Sequence, residues 1–517
     1  MMEQKSRTYN SVANSVFGLI AALINVALNF VVRIFIVRFL GDEINGLHNL
    51  FQNTINVMAL METGISSAMV IHLYKPVKEE DEKTIRELLG FYKKIYLLIS
   101  FAFLILGLIV GLFVIDKIVT TTITVWRVKL YFLLFAASFF VNYLTYFKRS
   151  ILFAEQKNRI SIFATTISEV FFRGLAILLA CLTGNYILFL LCIIAEKLFS
   201  NLICILYVDK HHKYLRHIQY CSLSRDKKKE VIGTIKPLIV NQTASTVQKS
   251  ANSILISILL GNVAIVGYFG NYQLVRSTVE LLFSQFGGAF TSGFGNLSVS
   301  GDKERMYYIY KRMRYLVTCA TCVVISGFLV CIQDFIELCF TKTYVLDIKV
   351  VIVLAFALII YLLSIPSISV QNALGLHRKD EVLMVIQTIT AIVTAYFLGL
   401  NFGMIGIILG LNAPTFIFTT MAKGVIINKY AFEKKGLKHI LLTLSELFCC
   451  VVIPAICMLI CGFFAFKSLF LNIIVKGIVA VIISVGFIIL FSIKNPYFKE
   501  IIQILKRRKN YVYHTKD

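Results

Sequence analysis

The sequence predicts an all-α, polytopic membrane protein of about fourteen transmembrane helices, built as two pseudo-symmetric six-helix lobes followed by two further helices. Three observations predict it. Of 517 residues, 58% are hydrophobic and only 15% charged, with mean hydropathy +0.79, which is more apolar surface than a water-soluble core buries. Apolar runs such as Ile95 to Ile115 and Val475 to Phe491 approach or exceed the roughly 20 residues that cross a ~30 Å hydrocarbon slab. A motif in the first hairpin also recurs in the second half of the chain.

Apolar runs set against polar breaks place spans at 12–39, 46–73, 95–115, 128–147, 160–182, 186–208, 237–260, 263–291, 315–333, 350–371, 382–400, 404–427, 447–466 and 470–492. The polar start MMEQKSRTYNS runs straight into the first of these without a small-residue cleavage pattern, so the first helix is expected to stay in place. The twelve cysteines lie almost wholly inside apolar segments, and Cys319-x-x-Cys322 has no histidine or second cysteine pair nearby. They read as small apolar packing residues rather than metal ligands or disulfides.

A net charge of +24 in a soluble protein points to nucleic acid. Here its distribution orients the chain instead. With the amino terminus inside, the inside segments hold most of the Lys and Arg, including Arg225 to Lys229 and Lys506 to Lys509, which predicts two cytoplasmic termini. Inside loops also carry amphipathic stretches. Asp81 opens one with Ile85, Leu88, Leu89 and Tyr92 on one face; Asp302 opens another with Met306, Ile309, Tyr310 and Met313. Both read as interfacial helices leading into the next span, and the tail repeats the pattern with Phe498, Ile501, Ile502 and Leu505.

Leu40-Gly41 followed by Gly46-Leu-His-Asn-Leu-Phe-Gln52 is echoed by Leu260-Gly261 followed by Gly267-Tyr-Phe-Gly-Asn-Tyr-Gln273. Spans one to six then correspond to seven to twelve in the same orientation. The expected organisation is an N-terminal lobe at 1–208, a cytoplasmic linker at 209–236, a C-terminal lobe at 237–427, spans thirteen and fourteen within 428–492, and a basic amphipathic tail at 493–517.

A charge at bilayer depth costs at least ~2.5 to 3.5 kcal/mol on insertion scales, so intramembrane charge faces protein or a wet cavity. Span one stacks Asn25, Asn29 and Arg33 on one face. Span two carries Asn49, Gln52, Asn53, Asn56, Glu62, Thr63 and Ser66; span seven carries Ser245, Lys249 and Asn252 on one stripe; span eight carries Gln273, Arg276, Glu280 and Ser284. As repeat-related hairpins, these helices are expected to line one cavity between the lobes. Its candidate substrate-binding residues are Arg33, Lys249, Arg276, Asn25, Asn29, Gln52, Asn56, Glu62, Gln273 and Glu280. Bland alternatives stand beside them. Arg38 and Lys476 read as snorkelling side chains, Arg276 and Glu280 as a self-neutralising pair, and Glu169 with Arg173 as either a structural or a functional pair. Three cations facing water suit an anion, particularly one with phosphates, and the amide and hydroxyl lining suits sugars.

Several stretches together resemble the polysaccharide transport family of the MOP (multidrug/oligosaccharidyl-lipid/polysaccharide) exporter superfamily, in particular Wzx-type flippases of Gram-positive capsule and exopolysaccharide clusters. They are FLGDEINGLHNLFQNTINVMALMETGISSA, LYKPVKEEDEKTIRELLGFYKKIY, RSILFAEQKNRIS and NSILISILLGNVAIVGYFGNYQLVRSTVELLFSQFGGAFTSGFGNLSV. The resemblance implies a MATE-like fold in the bacterial cytoplasmic membrane and movement, by alternating access, of an undecaprenyl-diphosphate-linked oligosaccharide from the inner to the outer leaflet. It also implies a lipid-tail groove at spans thirteen and fourteen, and a polysaccharide polymerase and glycosyltransferases as partners. Family members often have an acidic residue where this chain has Asn252, which sets aside ion coupling at that position. No P-loop, dinucleotide fingerprint or zinc spacing is present, so neither a cofactor nor ATP-driven transport is expected. The competing readings are a cation-coupled multidrug exporter of the same superfamily and a membrane enzyme of polysaccharide assembly. The short outside loops speak against the enzyme.

Overall fold

The computed structural model describes residues 7–216, 218, 231, 246–300, 302–464, 466–493, 495–500 and 503. Its principal helices are α1 (Arg7–Phe35), α2 (Asp42–Met58), α3 (Leu60–Lys78), α4 (Glu82–Ile109), α5 (Val125–Thr145), α6 (Asn158–Thr183), α7 (Tyr186–His211), α8 (246–260), α9 (Val263–Ser300), α10 (Lys303–Cys339), α11 (Ile348–Leu374), α12 (Glu381–Thr415), α13 (Lys423–Phe432), α14 (Gly436–Cys461) and α15 (Leu469–Ser492). Each expected span falls largely on helix where its residues are described, except that span two is interrupted at Ala59 and the helix of span thirteen ends at Cys461. Most of the expected linker, positions 237–245 of the seventh span and most of the tail, with Ile501, Ile502 and Leu505, lie outside the described residues.

Among the described residues, ten helical runs are long and apolar enough to cross a membrane. The helices outside that set are α2, which is 17 residues long, α3, α8, which is described only over 246–260, and α9. One of the ten, Glu381–Phe432, holds two expected spans. Gly403 separates them at φ 58°, ψ −136°, a backbone region that favours glycine. The chain folds back tightly there, because a Cβ on Gly406 would lie 1.9 Å from the Leu398 carbonyl oxygen.

The chain forms two compact units, Met1–Asn271 and Tyr272–Asp517, and the boundary falls inside α9. In the first unit α6 packs along α7, α5 on α7, α1 on α6, and α4 on α5. In the second, α10 is the hub that contacts α11, α14 and α15. Burial follows membrane rules. The buried positions of α15 are Asn472, Ala480, Ser484 and Ser492, whereas Ile482, Leu490 and Phe491 are exposed. Small and polar residues face the protein and large apolar ones face lipid, as expected where the solvent offers no hydrophobic drive.

Both amphipathic helices begin where the sequence places them, and each start is capped. Asp81 accepts from the Thr84 N–H at 3.0 Å and Asp302 from the Arg305 N–H at 2.9 Å, each satisfying an otherwise orphan donor. Their apolar stripes are not interfacial, however. Ile85, Leu88, Leu89 and Tyr92 are buried, as are Met306, Tyr310 and Met313, and the Tyr310 hydroxyl is 3.0 Å from Ser367 Oγ. These stripes pack into protein, and each helix runs on unbroken into its span.

Candidate functional site

In the first unit, α1 presents Asn25, Asn29 and Arg33 along one face, but they have different partners. Asn25 Nδ2 donates to Glu169 at 2.6 Å, and Asn29 Nδ2 donates to Asn25 Oδ1 at 2.7 Å. Arg173 closes the network. Its Nη1 donates to Asn29 at 2.8 Å, its Nη2 pairs with Glu169 at 3.1 Å, and its Nε pairs with Glu196 at 3.1 Å. Lys197 adds a 2.7 Å pair to Glu196. Asn25 and Asn29 are thus held in a charge network linking α1, α6 and α7. Glu196 and Lys197 belong to it without any local sequence pattern to mark them.

Arg33 is more loosely held. Its Nη1 donates to Asn271 Oδ1 at 3.3 Å, and no carboxylate pairs with it among the described residues. Its surroundings are set by the glycines of the repeated motif. A Cβ on Gly46 would lie 2.0 Å from the Val263 carbonyl oxygen, one on Gly267 2.9 Å from the Gly46 nitrogen, and one on Gly270 2.8 Å from Arg33 Nη1. The matching segments of α2 and α9 therefore cross glycine against glycine. Asn49 seals the crossing by donating to the Val266 carbonyl at 2.9 Å.

Farther along α2, Gln52 Nε2 donates to Asn56 Oδ1 at 2.9 Å, and Asn53 donates to Ser253 Oγ at 3.1 Å. Glu62 stands apart from this stripe. The helix breaks at Ala59 (φ −77°, ψ 1°), and Glu62 receives the Tyr96 hydroxyl on Oε1 at 3.1 Å. Lys249 on α8 is exposed and carries no ion pair among the described residues, whereas its neighbours Ser250, Asn252 and Ser253 are buried.

In the second unit, Arg276 is 7% exposed, and its Nε donates to Glu280 Oε1 at 2.7 Å. Its two terminal nitrogens donate to no protein group among the described residues. Gln273 Oε1 is likewise buried without a partner. Other cations here are committed: Lys423 to Asp380 at 3.0 Å and Arg314 to Glu446 at 2.5 Å. Lys476 does not snorkel as expected, because it pairs with Asp334 at 2.9 Å; the partner is remote in sequence and on another helix. A groove of about 270 Å³ lies between α10, α14 and α15, with Ile453, Ile488 and Phe491 on its walls and Lys311, Tyr315 and Asn495 among its polar residues.

The sequence matches no family model and no curated relative. Solved structures do match. Lipid II flippase MurJ in an inward closed conformation is 14% identical, with TM-score 0.71 over 93% of this chain and 99% of that chain. An inward-facing multidrug resistance MATE family transporter of the MOP superfamily is 15% identical, with TM-score 0.64 over 81% of this chain and 100% of that chain. An outward-facing MATE family transporter of the same superfamily is 14% identical, with TM-score 0.53 over 84% and 96%. The chain is therefore a polytopic membrane protein with the fold that these flippases and exporters share.

Proposed function

We propose that this chain is a flippase that moves an undecaprenyl-diphosphate-linked oligosaccharide from the inner to the outer leaflet of the bacterial cytoplasmic membrane, by alternating access, for capsule or exopolysaccharide assembly. The observation that carries this reading is the state of the cations. Arg173, Arg314, Lys423 and Lys476 are neutralised by carboxylates, whereas among the described residues Arg33 and Lys249 have no such partner, and Arg276 keeps both terminal nitrogens uncommitted. For half-buried Arg33 and buried Arg276, donors without an acceptor are costly unless a ligand supplies one, and a diphosphate offers several oxygens to these guanidinium groups and to the exposed Lys249 ammonium. Gln52, Asn56, Gln273 and Glu280 supply polar groups for sugar hydroxyls. The groove between α10, α14 and α15 supports the reading on the lipid side. Its apolar walls suit a polyprenyl tail. The likeness to a lipid II flippase also spans more of the chain than the likeness to MATE transporters (93% against 81% and 84%).

The test is polymer export in a deletion strain complemented with variants at matched membrane abundance, together with build-up of the lipid-linked precursor on the inner leaflet. A charge-assisted hydrogen bond contributes about 1.5 to 3 kcal/mol. Arg276→Ala is therefore expected to weaken export about tenfold or more, and Arg276→Lys to retain part of it. Normal export by Arg33→Ala, Lys249→Ala and Arg276→Ala alike refutes the reading. A second reading, export of cationic drugs, draws on the MATE likeness; drug resistance conferred by the wild type without any export of polymer selects it.

A further inference from the structure

Carboxylates at bilayer depth in the described residues are almost all paired with a cation: Glu169 and Glu196 with Arg173, Glu280 with Arg276, Asp334 with Lys476 and Glu446 with Arg314. Glu62 departs from this pattern. Among the described residues no Lys, Arg or His forms an ion pair with it, and its partners are the Tyr96 and Ser66 hydroxyls. Tyr143 lines a cavity of about 10 Å³ with it, room for one water at most. Tyr146 stands behind Tyr96 with ring centroids 5.9 Å apart. Arg149 lies over the Tyr146 ring at 5.5 Å and donates to Thr165 and Ser200 rather than to Glu62.

An ionised carboxylate in such a cage has lost water without gaining a counter-charge, and a proton relieves that cost. A route for the proton is present. Ser66 lies one helical turn from Glu62 on α3, on the same face. It also lines a second cavity of about 170 Å³ with Met69, Val70, Tyr146, Ser150 and Phe153. That cavity has room for a short chain of waters, and it lies toward the end of the unit where Lys148, Arg149, Lys157 and Arg159 cluster.

We propose that Glu62 is the site at which the N-terminal unit takes up and releases a proton during transport. A hydronium ion in the larger cavity gives its proton through the Ser66 hydroxyl to a Glu62 oxygen, leaving water and a neutral carboxyl group; release is the reverse transfer. The inference rests on the transport reading, yet it assigns Glu62 to coupling within one unit rather than to the substrate.

The test has a readout that needs no substrate. The full-length protein in lipid nanodiscs is titrated by infrared difference spectroscopy from mildly alkaline to mildly acidic buffer. The carbonyl stretch of a protonated carboxyl group is expected to grow in the wild type and in Glu62→Asp, and its Glu62 component to vanish in Glu62→Gln. In complemented cells Glu62→Gln is expected to lower export at least tenfold at matched abundance, and Glu62→Asp to retain part of it. A spectrum unchanged by Glu62→Gln overturns the proposal. So does the expected spectrum combined with normal export by Glu62→Gln, which leaves a protonated but uncoupled side chain. If the wild type exports no polymer, the transport reading fails by itself, and the spectroscopic arm still reports on Glu62.

Discussion

Replacing Arg173 with methionine removes three interactions at once while keeping a long, apolar stem of similar volume. The guanidinium bridges Glu169 and Glu196 at 3.1 Å each and donates to Asn29 at 2.8 Å. The Glu169 and Glu196 side chains are only 9% and 1% exposed. Removing one partner of a buried pair costs about 3 to 5 kcal/mol, because the other charge stays buried and unpaired. Lys197 still holds Glu196 at 2.7 Å, so the orphan is Glu169 and the lower end, about 3 kcal/mol, applies. Adding Glu169→Gln removes the orphan charge and keeps an acceptor for Asn25, so the double variant is expected to recover about 2 kcal/mol of that loss, a coupling within the usual range for residues in contact. Thermal denaturation in mild detergent, followed by the fraction of monodisperse protein, should rank wild type above Arg173→Met/Glu169→Gln, and both well above Arg173→Met. A single variant that melts with the wild type, or a double variant no better than the single, refutes the network as the clamp joining α1, α6 and α7.

Gly46→Ala is expected to destabilise the first unit by about 1 to 3 kcal/mol, because its Cβ would lie 2.0 Å from a backbone oxygen, whereas Gly174→Ala, whose Cβ meets nothing within 4 Å, should be neutral or stabilising by about 0.5 to 1 kcal/mol; equal melting of the two variants removes the glycine crossing. Glu43, outside the spans, sits below the usual carboxylate range: burial works to raise it, but the Thr121 and Thr122 hydroxyls and the Thr122 and Ile123 N–H groups outweigh burial. A depressed carboxylate contributes stability that is present above its unfolded value and lost as pH falls through the folded one, so melting of the wild type should drop more than that of Glu43→Gln as pH falls below about 4.5, and parallel drops contradict the assignment.

The spans were legible because lipid demands long apolar runs, and the polar stripes were legible as a concentration of amides and charges within such runs. The helix starts at Asp81 and Asp302 were visible because the apolar stripe begins just after each, and the structure adds that each caps its helix within three residues. Pairing was legible only at helical spacing. Glu169 with Arg173 and Arg276 with Glu280 are four residues apart and could be named in advance. Glu196 meets Arg173 across 23 residues and Lys476 meets Asp334 across 142, so no local spacing marks either pair, and Lys476 read as a snorkelling side chain. The amphipathic stripes of α4 and α10 misled because periodicity reports that a face is apolar without saying whether protein or lipid covers it. The break at Ala59 interrupts the helix between Asn56 and Glu62 without a local signal to mark it; beyond it Glu62 meets Tyr96, while Gln52 pairs with Asn56 before it. The repeat adds a constraint that runs the other way. Gly46 and Gly267 stand at matching places in the recurring motif, and at a helix crossing this close a Cβ on either helix meets the other's backbone, so neither position has room for a side chain.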